Sequence, residues 1–308
     1  MIVITTPTGR IGHQLLERLL GSDEPLRVIV RDPARLPAEA RDRVQVVQGS
    51  HGDADVVDRA FAGADSVFWV IPPDFQGASV EANYSGITRP AGDAFVRHRV
   101  ARVVGVSALG RGVTDHAGFV TASLAKDDLI ASTGVAYRAL TMPGFMDNLL
   151  DQVEPIRTRS VFFSTLAPDR RMPICATADI ADVAARLLLD HSWSQNAGVP
   201  VLGAEDLSLD EMARIMSAVL GTTVRYRRLT IDAFRDQLRE RGLSDAMVQG
   251  MVEMMVAKDA GLDNAEPRTP AATTPTSFRQ WCEDVLAPAV REAVSGVETA
   301  RSMAGGAR

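Results

Sequence analysis

The chain has 308 residues, 46% of them apolar, enough for one large globular unit or two coupled ones. Its 33 Lys and Arg against 39 Asp and Glu give a formal charge of −6, which argues against a nucleic-acid surface. No stretch has the length and apolarity of a membrane span, and two cysteines and five scattered histidines offer neither a disulfide framework nor a metal motif.

The chain opens on an apolar run, Met1 to Thr5, with no basic segment before it, so it reads as a strand rather than a signal peptide. A cytoplasmic protein is the expectation. After the strand Ile2–Thr5 comes a helix over Gly9–Leu20, with Ile11, Leu15, Leu16, Leu19 and Leu20 on one face. Strands follow at Arg27–Val30 and Val44–Gln48, a helix at Ala54–Ala62, and a fourth strand at Ser66–Val70. Ser79–Arg99 reads as a helix, Arg102–Ser107 as a strand, Ser123–Thr133 as a helix and Val135–Leu140 as a sixth strand. Near-continuous apolar strands separated by helices predict an α/β fold, a Rossmann-type doubly wound parallel sheet over residues 1–150.

Beyond residue 150 the rhythm changes to a smaller α/β region, 151–290, interleaved with the first and suited to binding a substrate. Strands are expected at Ser160–Phe163, Val199–Leu202 and Val224–Tyr226, and helices at Thr177–Asp190, Ser208–Leu220 and Ile231–Arg241. Ser208 with Glu211 forms a capping box, and Thr177 is the expected cap of its helix. Met247, Met251, Met254 and Met255 recur at helical spacing, as in a core or a pocket wall. Asp263–Ser277, with three prolines, reads as a long ordered loop or a lid, Phe278–Leu286 as a last helix, and residues 291–308 as a flexible tail.

The turn Thr6-Pro7-Thr8-Gly9-Arg10-Ile11-Gly12 lies between the first strand and the first helix. Backbone N–H groups at a helix N-terminus favour an anion, so this is the place for a pyrophosphate. Gly9 would let the phosphates approach, and Gly12 would let helix and strand pack closely. With these residues the chain resembles the NmrA-like group of atypical short-chain dehydrogenases/reductases, which includes NADPH-dependent quinone reductases. The group opens on Gly-Ala-Thr-Gly-x-x-Gly, and Thr6 and Pro7 stand here at its first two positions. Further similar stretches are Val30-Arg-Asp-Pro-Ala-Arg-Leu36, Gln48-Gly-Ser-His-Gly-Asp53, Trp69-Val-Ile-Pro-Pro73, and Leu140-Thr-Met-Pro-Gly-Phe-Met-Asp-Asn148, the most specific of them. Ala176–Ala184 and Pro275–Trp281 add two more, so the resemblance spans most of the chain.

The resemblance implies cofactor contacts from Thr6, Thr8, Gly9, Arg10, Ile11 and Gly12 in the turn. It adds Arg31 and Ser50 after the second and third strands, Ile71 and Pro72 after the fourth, Ser107 after the fifth and Pro143 after the sixth. Arg31 can pair with a 2′-phosphate and favours NADP(H) over NAD(H), with Asp32 beside it as a counter-argument. Ser50 replaces the acid that usually meets the adenine edge.

Most members of the superfamily donate a proton from the Tyr of a Tyr-x-x-x-Lys pair, whose members share one helix face. Here Tyr84, Tyr137 and Tyr226 are followed four residues later by threonines, and only two of the 33 basic residues are lysines, Lys126 and Lys258. The equivalent pair is Phe119 and Ser123, and Lys126, a turn further on, is expected to point elsewhere. Ser107 is a candidate for holding the substrate oxygen or, equally, a strand-end hydroxyl serving backbone or cofactor amide; His116, in the loop before the Phe119 helix, is the nearest candidate proton donor, with a solvated loop histidine as the alternative. Phe119, Phe145, Asn148 and the Met-rich helix would wall an aromatic-accepting pocket.

Three readings follow. The first is an NAD(P)H-dependent oxidoreductase acting on a quinone or aromatic or ketone-type small molecule that needs little acid help. The second is a non-catalytic NAD(P)-sensing regulator of the NmrA type, and the third a cofactor-binding tailoring enzyme for an aromatic natural product. None calls for nucleic acid, membrane or metal; a homodimer is common in such folds.

Overall fold

The computed structural model describes residues 1–112 and 116–292. Its first layer is a seven-stranded sheet in the spatial order β3-β2-β1-β4-β5-β6-β10, with every neighbouring pair parallel. The strands are β1 (Ile2–Thr5), β2 (Leu26–Val30), β3 (Val44–Gln48), β4 (Ser66–Trp69), β5 (Arg102–Val106), β6 (Ala136–Thr141) and, later in the chain, β10 (Ala197–Pro200). The doubly wound sheet expected from the sequence is present. The stretch around Val199, expected within the smaller region, instead joins the main sheet as its far edge, beside β6.

Alternation along β1 shows why both faces must be covered. Ile2 and Ile4 point to one side, where α1 (Arg10–Leu19) and α7 (Thr177–Leu189) bury Leu15, Leu16, Ile180 and Leu188. Val3 points to the other, into a core with Phe61 of α3 (Ala54–Phe61), Phe95 of α4 (Ile87–Arg97) and Ile130 of α5 (Phe119–Ser132). The short α2 (Ala38–Arg41) follows β2. The predicted helix over 79–99 is interrupted by a π turn, Ala82–Gly86, ahead of α4. Pro90 lies one turn into α4 and has no N–H for the carbonyl of residue 86, which favours such a slip. Helix α5 begins at Phe119, four residues before the expected Ser123.

The second region has its own core, in which Met146, Ile156, Phe162, Met216, Phe278 and Trp281 are buried together. Its small sheets are β11-β9-β7 (Asp206–Leu207, Met172–Cys175, Gly144–Phe145) and β12-β8 (Arg225–Arg228, Val161–Ser164). Helices α6 (Val153–Arg159), α8 (Leu209–Leu220), α9 (Ile231–Glu240), α10 (Asp245–Asp259) and α11 (Phe278–Trp281) complete it. Ser208 and Glu211 close the expected capping box on α8. The segment 263–277 is anchored rather than lid-like. Arg268 bonds Asp206 and the Gly203 carbonyl, and Thr276 donates to Asp179 at 2.6 Å. The expected tail lies outside the described residues, apart from 291 and 292, which are helical.

The cap of α7 corrects a second expectation. Ala176, not Thr177, is its cap residue, and the capping carboxylate comes from a distant segment. Asp147 accepts from the Thr177 amide at 2.9 Å and from its hydroxyl at 2.7 Å. Asp147→Ala strands a buried amide, and we expect it to lower stability by about 2 kcal/mol in urea unfolding, with Asp147→Asn, which keeps one acceptor, losing less.

Candidate active site

Because the seven strands run parallel, their C-terminal ends meet along one edge, and the strand order reverses between β1 and β4. A cavity of about 510 Å³ opens there. Its floor is the β1–α1 turn, residues 70–73 after β4, 106–108 at the end of β5 and 142–145 after β6. Tyr84 and α5 form one wall, and Met251, Met254 and Lys258 of α10 another.

In the β1–α1 turn, Thr6 has φ 52°, the left-handed region that a β-branched residue rarely enters. Its carbonyl accepts from the Gly9 amide at 3.0 Å, and a Cβ on Gly12 would stand 2.1 Å from that same oxygen. The close approach is therefore reserved for glycine. Gly9 caps α1 without a side-chain bond, and the first turn of α1 holds no acid. The first amides of a ten-residue helix are thus left for a partner from the cavity, a cradle that fits the pyrophosphate of a dinucleotide. Arg10 donates to the Asp147 carbonyl at 2.9 Å and to Asp151 at 2.5 Å.

Of the residues expected at the cofactor, Thr6, Gly9, Arg10, Ile11 and Gly12 line the cavity together with Ile71, Pro72, Ser107 and Pro143. So do Phe119, Phe145 and Asn148, expected at the substrate. Thr8, Arg31, Ser50 and His116 are not among its lining residues. Arg31 is exposed beyond the end of β2. Asp32, its acidic neighbour, is engaged locally, accepting from the Ala34 amide at 3.0 Å. Ser50 accepts from the Gly52 amide at 3.2 Å. His51, beside it, packs edge-on against Trp69 at 5.3 Å, and its Nε2 has no hydrogen-bond partner among the described residues. Burial, reinforced by the Arg31 charge, lowers its pKa from 6.5 to about 4.

The end of β5 carries a buried polar cluster. Asp127 of α5 is 3% exposed, accepts from two hydroxyls and pairs with one lysine. Ser107 donates its hydroxyl hydrogen to Oδ2, Tyr137 donates to Oδ1 at 2.6 Å, and Lys126 Nζ stands 2.9 Å from Oδ1. Lys126 Nζ also donates to the Val106 carbonyl at 2.5 Å. Tyr137 is fully enclosed, and burial next to Asp127 raises its pKa well above 10, which keeps it a neutral donor to that carboxylate. Tyr84, in contrast, lines the cavity, with burial raising its pKa to about 12.

Lys126 corrects an expectation. Residues 119, 123 and 126 stand at i, i+4 and i+7 and so share a helix face, and all three line the cavity. Both lysines of the chain are at this cavity, Lys258 bonded to Asp263 at 2.7 and 2.5 Å. The helical period was sufficient to place Lys126. Asp127 and Tyr137 carried no signal in sequence, since their pairing depends on the register of β6 against β5. The Met-rich helix is a pocket wall, whereas no residue of 263–277 lines the cavity.

A family model described as NAD(P)H-binding matches residues 7–191. The chain is 28% identical over 286 residues to (4-alkanoyl-5-oxo-2,5-dihydrofuran-3-yl)methyl phosphate reductase of Streptomyces griseus, covering 91% of this chain and 96% of that one. It is 24% identical over 264 residues to quinone oxidoreductase 2 of Escherichia coli, covering 85% and 87%. Among solved structures, an NADPH-dependent quinone oxidoreductase of Escherichia coli complexed with NADPH shares the fold, with a TM-score of 0.71 at 22% identity, covering 96% of this chain and all of that one. A mutant NmrA does so with a TM-score of 0.72 at 14% identity, covering 96% and 97%.

His51 makes the fold sensitive to acid. The unfolded chain takes up its proton at the ordinary 6.5, the folded protein only at about 4, so this contribution is complete above pH 6.5 and falls as pH drops through that window. We expect a loss of at most about 3 kcal/mol from this residue, absent in His51→Gln, when urea unfolding is followed from pH 7 to pH 4.

Proposed function

The chain belongs to the NAD(P)H-binding family, and we propose that it is a reductase whose substrate is a quinone or a related aromatic or ketone-type molecule. The observation that carries this reading is the continuity of one cavity from the uncapped N-terminus of α1 to an apolar chamber walled by Tyr84, Phe119, Phe145 and two methionines. The named activities of the relatives, reduction of a quinone and of an unsaturated ring phosphate, agree with it.

When bound, NAD(P)H supplies a hydride. The residues of the chain bind, orient and exclude water. The α1 amides receive the pyrophosphate, and Ile71, Pro72 and Pro143 flank the dinucleotide along the strand ends. The Ser107 hydrogen is committed to Asp127, so toward the cavity this hydroxyl is an acceptor, suited to a donor such as a carboxamide rather than to a substrate carbonyl. Phe119 and Phe145 offer ring faces to a flat substrate, and Asn148 an amide at its rim. Residues 151–290 act as the substrate-binding region, contributing α10 as the cover.

Arg31, exposed beyond β2, is the residue proposed to meet a 2′-phosphate; its acidic neighbour Asp32 is occupied by its own turn, which supports that reading. Arg31→Glu is expected to weaken NADPH binding at least about tenfold while changing NADH binding little; equal losses would remove the preference for NADP(H). The reading as a whole is tested by calorimetric titration with NADPH, NADH and their oxidised forms, followed by quinone and aromatic-ketone turnover. Preferential binding of a reduced form with turnover is expected. Tight binding without reduction of any such substrate would move the protein to the sensing class.

A further inference from the structure

Among the polar donors that line the cavity, Tyr84, Lys258 and Lys126 differ in how they are held. Tyr84 presents a neutral phenol. Lys258 comes from the cover, and its ammonium is gripped by both oxygens of Asp263. Lys126 comes from the α5 wall, 1% exposed, and shares Asp127 with Ser107 at the end of β5.

The neighbours of Lys126 set its polarity. Its ammonium carries three hydrogens; one is donated to the Val106 carbonyl, and the charge is paired with Asp127 at 2.9 Å. Asp127 is shared: Ser107 and Tyr137 donate hydrogen bonds to it, and Arg111 stands 3.8 Å away. Its charge is therefore spread over several donors, and the Lys126 cation is not consumed by one contact. The bond to Val106 and the pairing with Asp127 together hold the ammonium in place while leaving it N–H groups to donate. A pre-oriented cation in a chamber with apolar walls is the arrangement that stabilises a developing oxyanion.

Resting on the reductase reading above, we propose that Lys126 is a catalytic residue whose ammonium donates to the substrate oxygen that becomes negative during reduction. In the step, the hydride adds to the substrate, a C=O π bond breaks as the new bond to hydrogen forms, and that electron pair moves onto oxygen. The cofactor is oxidised and the substrate reduced. Lys126 hydrogen-bonds the oxyanion and passes it a proton, and solvent restores the ammonium. Asp127 and Val106 are positioning groups that act through Lys126. This role stands in for the Tyr-x-x-x-Lys pair, for which Phe119 and Ser123 are the residues expected from the sequence.

Two readouts separate this proposal from the reading beneath it. The first needs no turnover: a nitrophenol is titrated into the protein, and its ionised form is followed by absorbance. The wild type is expected to bind the phenolate at least about tenfold more tightly than Lys126→Met does, with NADPH affinity unchanged and Lys126→Arg retaining most of the effect. The second is quinone turnover, in which Lys126→Met is expected to lower kcat about 100-fold with little change in KM. Should Lys126→Met lose its native circular dichroism, Lys126→Gln carries the same comparison. Folded variants with wild-type phenolate binding and kcat would overturn the proposal, as would a loss confined to Tyr84→Phe. Lysine-dependent phenolate binding in a protein that reduces no quinone or ketone would uphold the role of Lys126 and sink the reductase reading instead.

Discussion

One close approach governs how the rest of the chain is arranged: the Thr6 carbonyl against the backbone of Gly12. A side chain at residue 12 would collide with that oxygen, so without glycine there α1 could not start directly over β1. From this contact α1 lies along the sheet with α7 beside it, and its N-terminus is aimed at the point where the strand order reverses. Thr6 supports the turn in a conformation unfavourable for its residue type, by about 1–3 kcal/mol in general. Strain of this kind persists where neighbours over-determine it, and here the Gly9 amide and the packing of Gly12 both do.

A second organising element is the use of carboxylates as junctions between segments distant in sequence. Asp147 caps α7 while its carbonyl receives Arg10, which joins α1, α7 and the turn Met146–Gln152 at the mouth of the cavity. Asp179 ties α7 to Thr276, and Asp206 holds Arg268. Asp127 joins β5, β6 and α5. Such carboxylates are buried or half-buried with several donors each, the condition under which a charge can be tolerated away from water. They make the second region continuous with the first, in keeping with the contribution of residues 197–200 to the main sheet.

Much of this architecture could be read from the amino acids because it depends on local pattern. Alternating apolar strands and helices identify the sheet, and a glycine pair after the first strand locates the phosphate turn. What escaped depends on partners remote in sequence. The cap of α7 is supplied 30 residues upstream, and no rule about residues near Thr177 could reveal it. The Asp127 cluster needs the β5–β6 register to bring Tyr137 opposite, and the short strands β7, β9 and β11 are too brief to show a period. Lys126 is different, since its position on the face of Phe119 and Ser123 follows from 3.6 residues per turn.

The two lysines also shape the outside of the molecule. Because Lys126 is 1% exposed and the Lys258 side chain 11%, nearly every positive charge facing water is a guanidinium. The surface therefore has almost no primary amine beyond the N-terminus, itself paired with Asp65. Acylating reagents, amine-directed cross-linkers and enzymes that modify lysine find little to react with. Any lysine they do reach is one that lines the cavity, so lysine modification of this protein reports the opening of its interior rather than the chemistry of its surface.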